Sequence, residues 1–226
     1  MISYFKRTIR DKGLRKLPGF ETGCWINVVA PTKKELDFLE KKFKLNKQNL
    51  ESGLDANEIP RVEIEEGRYY IFLKSISFNL EGGMETILIV LDESFIMTLA
   101  RNKLSFLSKL ERGEVNFFTT QRKKVLLKIF SLLDEEFERA TLEIVKKVKS
   151  ERRLSEAFGE KEINDLLLQE DKLNDLVFTY YYSILVYKKI IKSIQFFEED
   201  QELIDCLLYT SPSPRDLSTS RMPSSA

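Results

Sequence analysis

The second half of the chain carries the pattern that most restricts its fold, a long series of residues at alternating steps of three and four. The series is apolar or aromatic except at Glu170 and consists of Ile163, Leu166, Glu170, Leu173, Val177, Tyr180, Ile184, Tyr187, Ile191 and Ile194. This heptad spacing predicts a long helix whose apolar seam packs on a partner helix. A second apolar stripe, on a predicted helix over residues 120–150, is the nearest candidate partner. We therefore predict a long antiparallel helical hairpin over residues 116–197.

The first half of the chain has a different pattern, in which strand signals alternate with helix signals. Runs of β-branched or alternating apolar residues predict strands at residues 24–29, 61–65, 69–78, 85–91 and 95–100. Thr32 and Glu35 have the spacing of a capping box at the start of a helix. Asn46 is a second N-cap, for a short helix that ends near Gly53. The predicted fold class is α/β, with a mixed sheet flanked by helices over residues 1–115 and the long helical hairpin after it.

The end of the chain differs sharply from the helical pattern before it. Residues 206–226 contain three of the six prolines, and their back-translation resembles the adapter DNA of sequencing libraries. We expect this segment to be translated adapter, disordered and not native protein, so it is excluded from the prediction of the fold. Residues 198–205 are then expected to begin a stalk helix that the natural protein continues beyond Asp205.

The composition argues against most classes of enzyme. The chain has no histidine, which removes the commonest general base near neutral pH and the commonest transition-metal ligand. Its 36 basic and 36 acidic side chains balance, so no nucleic-acid partner is expected. With the tail excluded, Cys24 is the only cysteine, which fits a reducing cytosolic setting. The longest aliphatic run, residues 87–91, is far too short to cross a bilayer, so the 226-residue chain is expected to be soluble.

Three runs of acidic residues are candidate metal sites by residue type alone. They are Glu63-Glu65-Glu66, Asp134-Glu135-Glu136 and Glu198-Glu199-Asp200. Carboxylate oxygens suit hard cations such as Mg²⁺. Charge runs on helices more often form solvated faces, however, and basic residues alternate with acidic ones along this chain. We therefore predict that all three runs face solvent and bind no metal.

A set of short motifs recurs along the chain in a characteristic order and spacing. The motifs are Trp25-Ile26-Asn27, Pro31-Thr32, Glu35-Leu36, Asn49-Leu50-Glu51, Leu54-Asp55, Glu58, Pro60-Arg61-Val62-Glu63 and Tyr70-Ile71-Phe72-Leu73. Together with two long helices of suitable length, they resemble the CorA family of magnesium channels from about residue 20 to Asp205. The family's Gly-Met-Asn motif and both of its membrane helices are absent from the 226 residues. Loss of the sequence after Asp205 would explain that absence.

The resemblance implies that the chain is the cytosolic regulatory and scaffold part of a divalent-cation transporter, truncated before the pore. The implied ion is Mg²⁺, with Co²⁺, Ni²⁺ and Zn²⁺ left open. The full-length parent would be a homopentamer at the cytoplasmic face of the cell membrane, attached only through the missing C-terminal helices. In the family, cytosolic carboxylates bind divalent cations between subunits, and Glu51 matches one such acidic position. Ser52 stands where the well-known form of that site has aspartate, and the cross-subunit partner would lie beyond Asp205.

Two other interpretations stay open. The first is a soluble coiled-coil oligomeric scaffold or interaction protein that carries a CorA-like domain without transport. A polar reading frame that stops after Asp205 would favour it, whereas two hydrophobic helices and a Gly-Met-Asn motif would favour the channel. The second is an enzyme with a metal-dependent carboxylate centre, which a hydrolase panel with Mg²⁺ or Mn²⁺ would test. We expect no enzymatic activity.

Overall fold

The computed structural model describes residues 1–76, 83–154 and 160–209, which contain seven strands and six α-helices. The strands are β1 (Ile2–Lys6), β2 (Arg15–Leu17), β3 (Cys24–Val29), β4 (Arg61–Glu65), β5 (Arg68–Ile76), β6 (Met84–Leu91) and β7 (Phe95–Ala100). The α-helices are α1 (Lys33–Phe43), α2 (Lys47–Ser52), α3 (Ser105–Glu111), α4 (Arg122–Leu154), α5 (Glu160–Ser193) and α6 (Gln201–Tyr209). A short 3-10 helix, Glu198–Asp200, precedes α6.

All the described strands belong to one mixed sheet, in the order β2-β1-β3-β7-β6-β5-β4. Within it, β3 and β7 pair in parallel, with Trp25 opposite Ile96, and the other neighbouring pairs are antiparallel. β3, β6 and β7 lie inside the sheet and are almost wholly buried, which is why their sequences read as continuous apolar runs. The predicted mixed sheet is confirmed.

Different helices cover the two faces of the sheet. α1 and α2 lie on one face, where Leu39 and Leu50 are fully buried with the strand residue Met97. The longer helices lie on the other face, where Phe130 of α4 joins the same apolar cluster as Trp25 of β3. Each such large side chain contributes roughly 1.5–3 kcal/mol when it leaves water. The predicted flanking of the sheet by helices is also confirmed.

The two short helices of the first half begin where the sequence predicts. Thr32 accepts a hydrogen bond from the Glu35 amide at 3.3 Å, and the Thr32 amide donates to the Glu35 carboxylate at 2.8 Å. This reciprocal pair is a capping box, which satisfies amides that the first turn of α1 leaves free. Asn46 caps α2 by accepting from the Asn49 amide at 3.2 Å, and α2 ends before Gly53.

α4 and α5 form the predicted antiparallel hairpin. The rings of Phe130 and Tyr187 are 4.2 Å apart, and those of Phe137 and Tyr180 are 5.3 Å apart. The contacting residues therefore follow opposite chain directions on the two helices, which makes α4 and α5 antiparallel. In the half of α5 farther from the sheet, the buried positions are shifted by one residue from the predicted seam. Leu176 is buried there, whereas the predicted seam residue Val177 is only partly buried.

The base of the hairpin shares the core of the sheet. Leu126 of α4 and Tyr187 of α5 belong to the same buried cluster as Ile89 of β6. Farther out, a small cluster around Phe137 and Leu176 continues the contact between the two helices. The hairpin is thus anchored in the α/β core at one end.

The chain departs from the sequence-based expectations at both ends. β1 and β2 were not predicted, and β2 consists of only three residues, two of them exposed and basic. α6 continues to Tyr209, past the expected boundary at Cys206, and Leu207 is buried in the main core. Residues 210–226, most of the segment expected to be adapter, lie outside the described residues. Over the part of the chain that the structure describes, no helix has the length and apolarity needed to cross a bilayer.

Candidate metal-binding region

α2 carries Glu51, the residue that the sequence predicts as a metal ligand. Leu50 beside it is fully buried in the sheet face, so the opposite side of this short helix, with Glu51, faces solvent. Ser52 is half-buried. Within residues 1–76, 83–154 and 160–209, no three His, Cys, Asp or Glu side chains lie close enough together to hold a metal ion.

The end of α2 lies directly on the sheet because of Gly53. A Cβ atom at this position would stand 2.7 Å from Cβ of Leu88 and 3.2 Å from Cδ2 of Leu99. Such distances are shorter than van der Waals contact, so a side chain at position 53 would push the helix away from β6. Glycine thus fixes how closely the segment after Glu51 approaches the sheet.

A buried lysine of the sheet holds the loop that follows α2, residues 53–58. Lys74 on β5 is only 8% exposed, and its ammonium donates to the Ala56 carbonyl at 2.5 Å and to Thr86 Oγ1 at 3.0 Å. The Thr86 hydroxyl in turn donates to the Asp55 carbonyl at 2.5 Å. Burial lowers the pKa of Lys74, while the carboxylates of Asp55 and Glu58 act in the opposite direction.

Arg61 holds the far end of the same loop. Its guanidinium donates to the Glu58 carboxylate at 3.0 Å, pairs with Glu63 and lies 3.9 Å from the centre of the Phe72 ring. Burial alone would raise the pKa of Glu58, but hydrogen bonding to Arg61 and its charge outweigh burial and lower it. The Ser52 side chain also lowers the pKa of Glu58. Glu58 is therefore held as a carboxylate by this chain's own groups.

The acidic run on α4 contains a buried, hydrogen-bonded carboxylate. Glu136 is 1% exposed; it accepts a hydrogen bond from Ser75 Oγ at 2.9 Å and another from Ser105 Oγ. The prediction that this run is a solvated face is wrong for Glu136. The reason is that hydroxyls from β5 and from the start of α3, both distant in sequence, satisfy a carboxylate that a helical pattern alone would place in water.

Asp134, one turn from Phe130 on α4, is a second exception to the predicted solvated face. Both of its carboxylate oxygens are inaccessible to solvent, and neither accepts a well-formed hydrogen bond. The buried hydroxyl of Tyr187 makes no well-formed hydrogen bond either, although it lies close enough to act on the Asp134 carboxylate. Burial raises the pKa of Asp134 to about 7, although the nearby Tyr187 hydroxyl acts to lower it. Asp134 is thus a carboxyl group that titrates near neutral pH.

The run at residues 198–200 is only partly exposed. Asp200 is 3% exposed, accepts from the Phe197 amide at 3.2 Å and lies 3.5 Å from the Lys124 ammonium. Glu199 is solvent-exposed and pairs with the same lysine at 2.9 Å. The prediction of a fully solvated run is therefore wrong at Asp200, which acts as the cap of the 3-10 helix before α6.

A groove of about 760 Å³ lies between α4, α5 and α6. Its walls are mostly apolar, with Leu176 and Tyr180 from α5 and Leu203 from α6. Asp134 and Glu138 also line it, and none of its lining residues is basic. The predicted seam pairs α4 with α5, but it did not indicate this groove, because the third wall comes from α6.

Comparison with known proteins supports the fold and the family. The family model for "CorA-like Mg2+ transporter protein" matches residues 20–208. A curated cobalt/magnesium transport protein CorA from Methanocaldococcus jannaschii is 31% identical over 88 residues, which are 39% of this chain and 28% of that protein. The aligned part thus spans less than a third of that relative.

Solved structures of low sequence identity share the fold. The soluble domain of CorA from M. jannaschii has a TM-score of 0.75 at 20% identity, covering 93% of this chain and 88% of that one. The complete CorA magnesium transporter from the same organism has a TM-score of 0.79 at 21% identity, covering 97% of this chain and 74% of that one. The cytoplasmic domain of ZntB from Vibrio parahaemolyticus has a TM-score of 0.70 at 10% identity, covering 92% of this chain and 89% of that one. Since the family model covers most of its length, this chain belongs to the CorA-like Mg²⁺ transporter family.

Proposed function

We infer that this chain is the cytosolic scaffold and regulatory part of a divalent-cation transporter whose membrane helices follow the segment equivalent to this chain. The observation that supports this most directly is the similarity to the complete CorA magnesium transporter. Nearly all of this chain aligns with that structure, while about a quarter of that structure has no counterpart in it. α6 follows the hairpin at the position where the stalk helix is expected.

The transported ion in this proposal is Mg²⁺. The matching family is described as Mg²⁺ transporters, and the curated relative is named for cobalt and magnesium. Co²⁺ is therefore the first alternative, and Ni²⁺ and Zn²⁺ follow. The parent protein would assemble as a homopentamer at the cytoplasmic face of the cell membrane.

Glu51 is the proposed regulatory ligand. Its exposure on α2 suits a site between subunits, because an exposed carboxylate is free to meet ligands from a neighbouring copy. Ser52 supplies a neutral hydroxyl next to it, so the site would carry less negative charge than one built with aspartate. Such a site would bind Mg²⁺ more weakly, because affinity depends on the number of charged ligands.

The decisive experiment is recovery of the intact gene and expression of its full product. In a bacterial strain that lacks its own magnesium uptake, we expect the full-length protein to restore growth at low Mg²⁺ and the 226-residue chain to fail. An intact gene that encodes residues 206–226 unchanged and then stops would contradict the proposal and favour the coiled-coil scaffold.

The role of Glu51 requires a separate measurement in the full-length protein. We expect Glu51→Gln to raise the Mg²⁺ concentration that protects the protein from proteolysis. Glu66→Gln is the matched control, since Glu66 is also an exposed carboxylate and the charge change is the same. Equal behaviour of the two variants would exclude Glu51 as a ligand.

A further inference from the structure

The loop at residues 53–58 lies next to Glu51 and contains the carboxylates of Asp55 and Glu58. A buried cation of the protein itself, the Lys74 ammonium, contacts this loop. The Lys74 ammonium reaches it from β5 and is almost completely shielded from water. Its hydrogen-bond acceptors are the neutral oxygens of Ala56 and Thr86. The carboxylates of Asp55 and Glu58 act on its charge, but its hydrogen bonds go to the neutral oxygens. Carbonyl and hydroxyl oxygens are also ligands of bound metal cations, so the Lys74 ammonium is held here as a metal cation would be and not as one partner of a salt bridge.

The contacts around Lys74 fix successive points of the backbone. Thr86 donates to the carbonyl of Asp55 while accepting from Lys74, so one ammonium orders two neighbouring peptide groups. Gly53 holds the start of the loop against Leu88. The loop is therefore attached to the sheet along its length by groups that are all part of this chain.

We propose that the Lys74 ammonium acts as a tethered internal cation that positions the loop after Glu51, so that this loop keeps its conformation without a bound divalent ion. Lys74 is a positioning residue and is not proposed as a ligand of an ion at Glu51. The inference goes beyond the proposed function and is independent of it. Whether the loop needs a divalent ion to stay ordered does not depend on which ion the parent protein transports.

Amide hydrogen exchange of the chain, followed by mass spectrometry, tests the inference. In the unmodified chain we expect the amides of residues 53–58 to exchange at the same rate in EDTA and in millimolar Mg²⁺. In Lys74→Met, which keeps most of the length of the side chain but removes the ammonium, we expect roughly tenfold faster exchange in this loop and unchanged exchange in β6 and β7. Lys47→Met is the matched control: Lys47 pairs with Asp37 at 3.0 Å on the surface, and its loss should leave the loop unchanged.

Two results would overturn the inference. One is a loop whose exchange slows in Mg²⁺ in the unmodified chain. The other is normal exchange of the loop in Lys74→Met. If Lys74→Met also accelerates exchange in β6 and β7, Thr86→Val decides the matter, because it removes only the hydroxyl between Lys74 and Asp55. We then expect faster exchange confined to residues 53–58 in Thr86→Val, while Thr86→Ser behaves like the unmodified chain. Unchanged exchange in Thr86→Val would contradict the inference.

Discussion

The sheet and the helical hairpin each contain a buried polar side chain, Thr98 and Asp134, and the two side chains differ in their hydrogen bonding. In the sheet, Trp25 Nε1 donates to Thr98 Oγ1 at 2.9 Å, Thr98 donates to Asn27 at 3.0 Å, and Asn27 donates to Glu111 at 2.9 Å. In the hairpin, the carboxylate of Asp134 is buried without a well-formed hydrogen bond. Unsatisfied buried groups cost free energy, whereas a completed chain of hydrogen bonds favours one arrangement of its members. The hydrogen bonds of Thr98 therefore favour one arrangement of its neighbours in the sheet, whereas the effect of Asp134 on the stability of the hairpin depends on whether its carboxyl group is protonated.

The largest expected effect concerns Asp134 and pH. Its pKa in the folded chain, about 7, lies above its ordinary value of 3.8, so the folded chain holds this proton more tightly than the unfolded chain. The contribution of Asp134 to the free energy of unfolding should therefore be greatest below about pH 4 and fall as the pH rises to about 7. Allowing for partial exposure, the loss is on the order of 3 kcal/mol.

Asp134→Asn removes this titration and should make the chain more stable than the unmodified protein above pH 7. Urea denaturation at a series of pH values measures the difference. Glu143→Gln is the control, because Glu143 is an exposed carboxylate on the same helix and the charge change is the same, whereas the charge of Glu135 itself raises the pKa of Asp134. A pH dependence in Asp134→Asn equal to that of the unmodified chain would show that Asp134 is not the group responsible.

The next effect concerns the hydroxyl of Thr98 in the sheet. Thr98→Val keeps the shape of the side chain but leaves Trp25 Nε1 without its acceptor and the Asn27 side chain without its donor. We expect the free energy of unfolding to fall by about 2 kcal/mol, since each unsatisfied buried group costs about 1–3 kcal/mol. Thr98→Ser, which keeps the hydroxyl, should retain most of the stability. Equal stabilities of the valine and serine variants in urea denaturation would contradict the prediction.

The smallest effect is expected for a hydroxyl in the hairpin. Tyr187→Phe removes a buried hydroxyl that makes no well-formed hydrogen bond and keeps the ring stacked 4.2 Å from Phe130. At about pH 5, where Asp134 is protonated and the hydroxyl has no carboxylate charge to stabilise, the free energy of unfolding should stay within about 0.5 kcal/mol of the unmodified chain. A calorimetric loss similar to that of Thr98→Val would mean that the Tyr187 hydroxyl is bonded in solution, and the contrast between the two regions would disappear.

The sequence was informative wherever a local pattern determines the structure. The bounds of β3, β4 and β7 follow from apolar runs ended by turn residues, and Thr32 and Asn46 mark helix starts through contacts within one turn. Local patterns could not identify contacts between distant segments. The serines that bond Glu136 come from positions 75 and 105, so its burial could not be read from α4 alone.

The candidate site shows the same limit. Glu51 was predicted from the resemblance to a family, and its exposure agrees with a role between subunits without testing it. No sequence pattern indicated Lys74, because a lysine in an alternating strand normally points to solvent. Its burial depends on the carbonyl of Ala56 and the hydroxyl of Thr86, which are brought together only by the sheet and the loop after α2.

The parallel pairing of β3 with β7 has a consequence for how the chain is made. Cys24 of β3 lies beside Phe95 of β7, so this pair joins segments about seventy residues apart. During synthesis, β1 to β3 emerge from the ribosome long before β7, so the edge of β3 that pairs with β7 is at first unpaired. Because pairing across such a separation is slow to form, the edge of β3 stays exposed until β7 has been made, and this exposed edge is a site at which the nascent chain can aggregate.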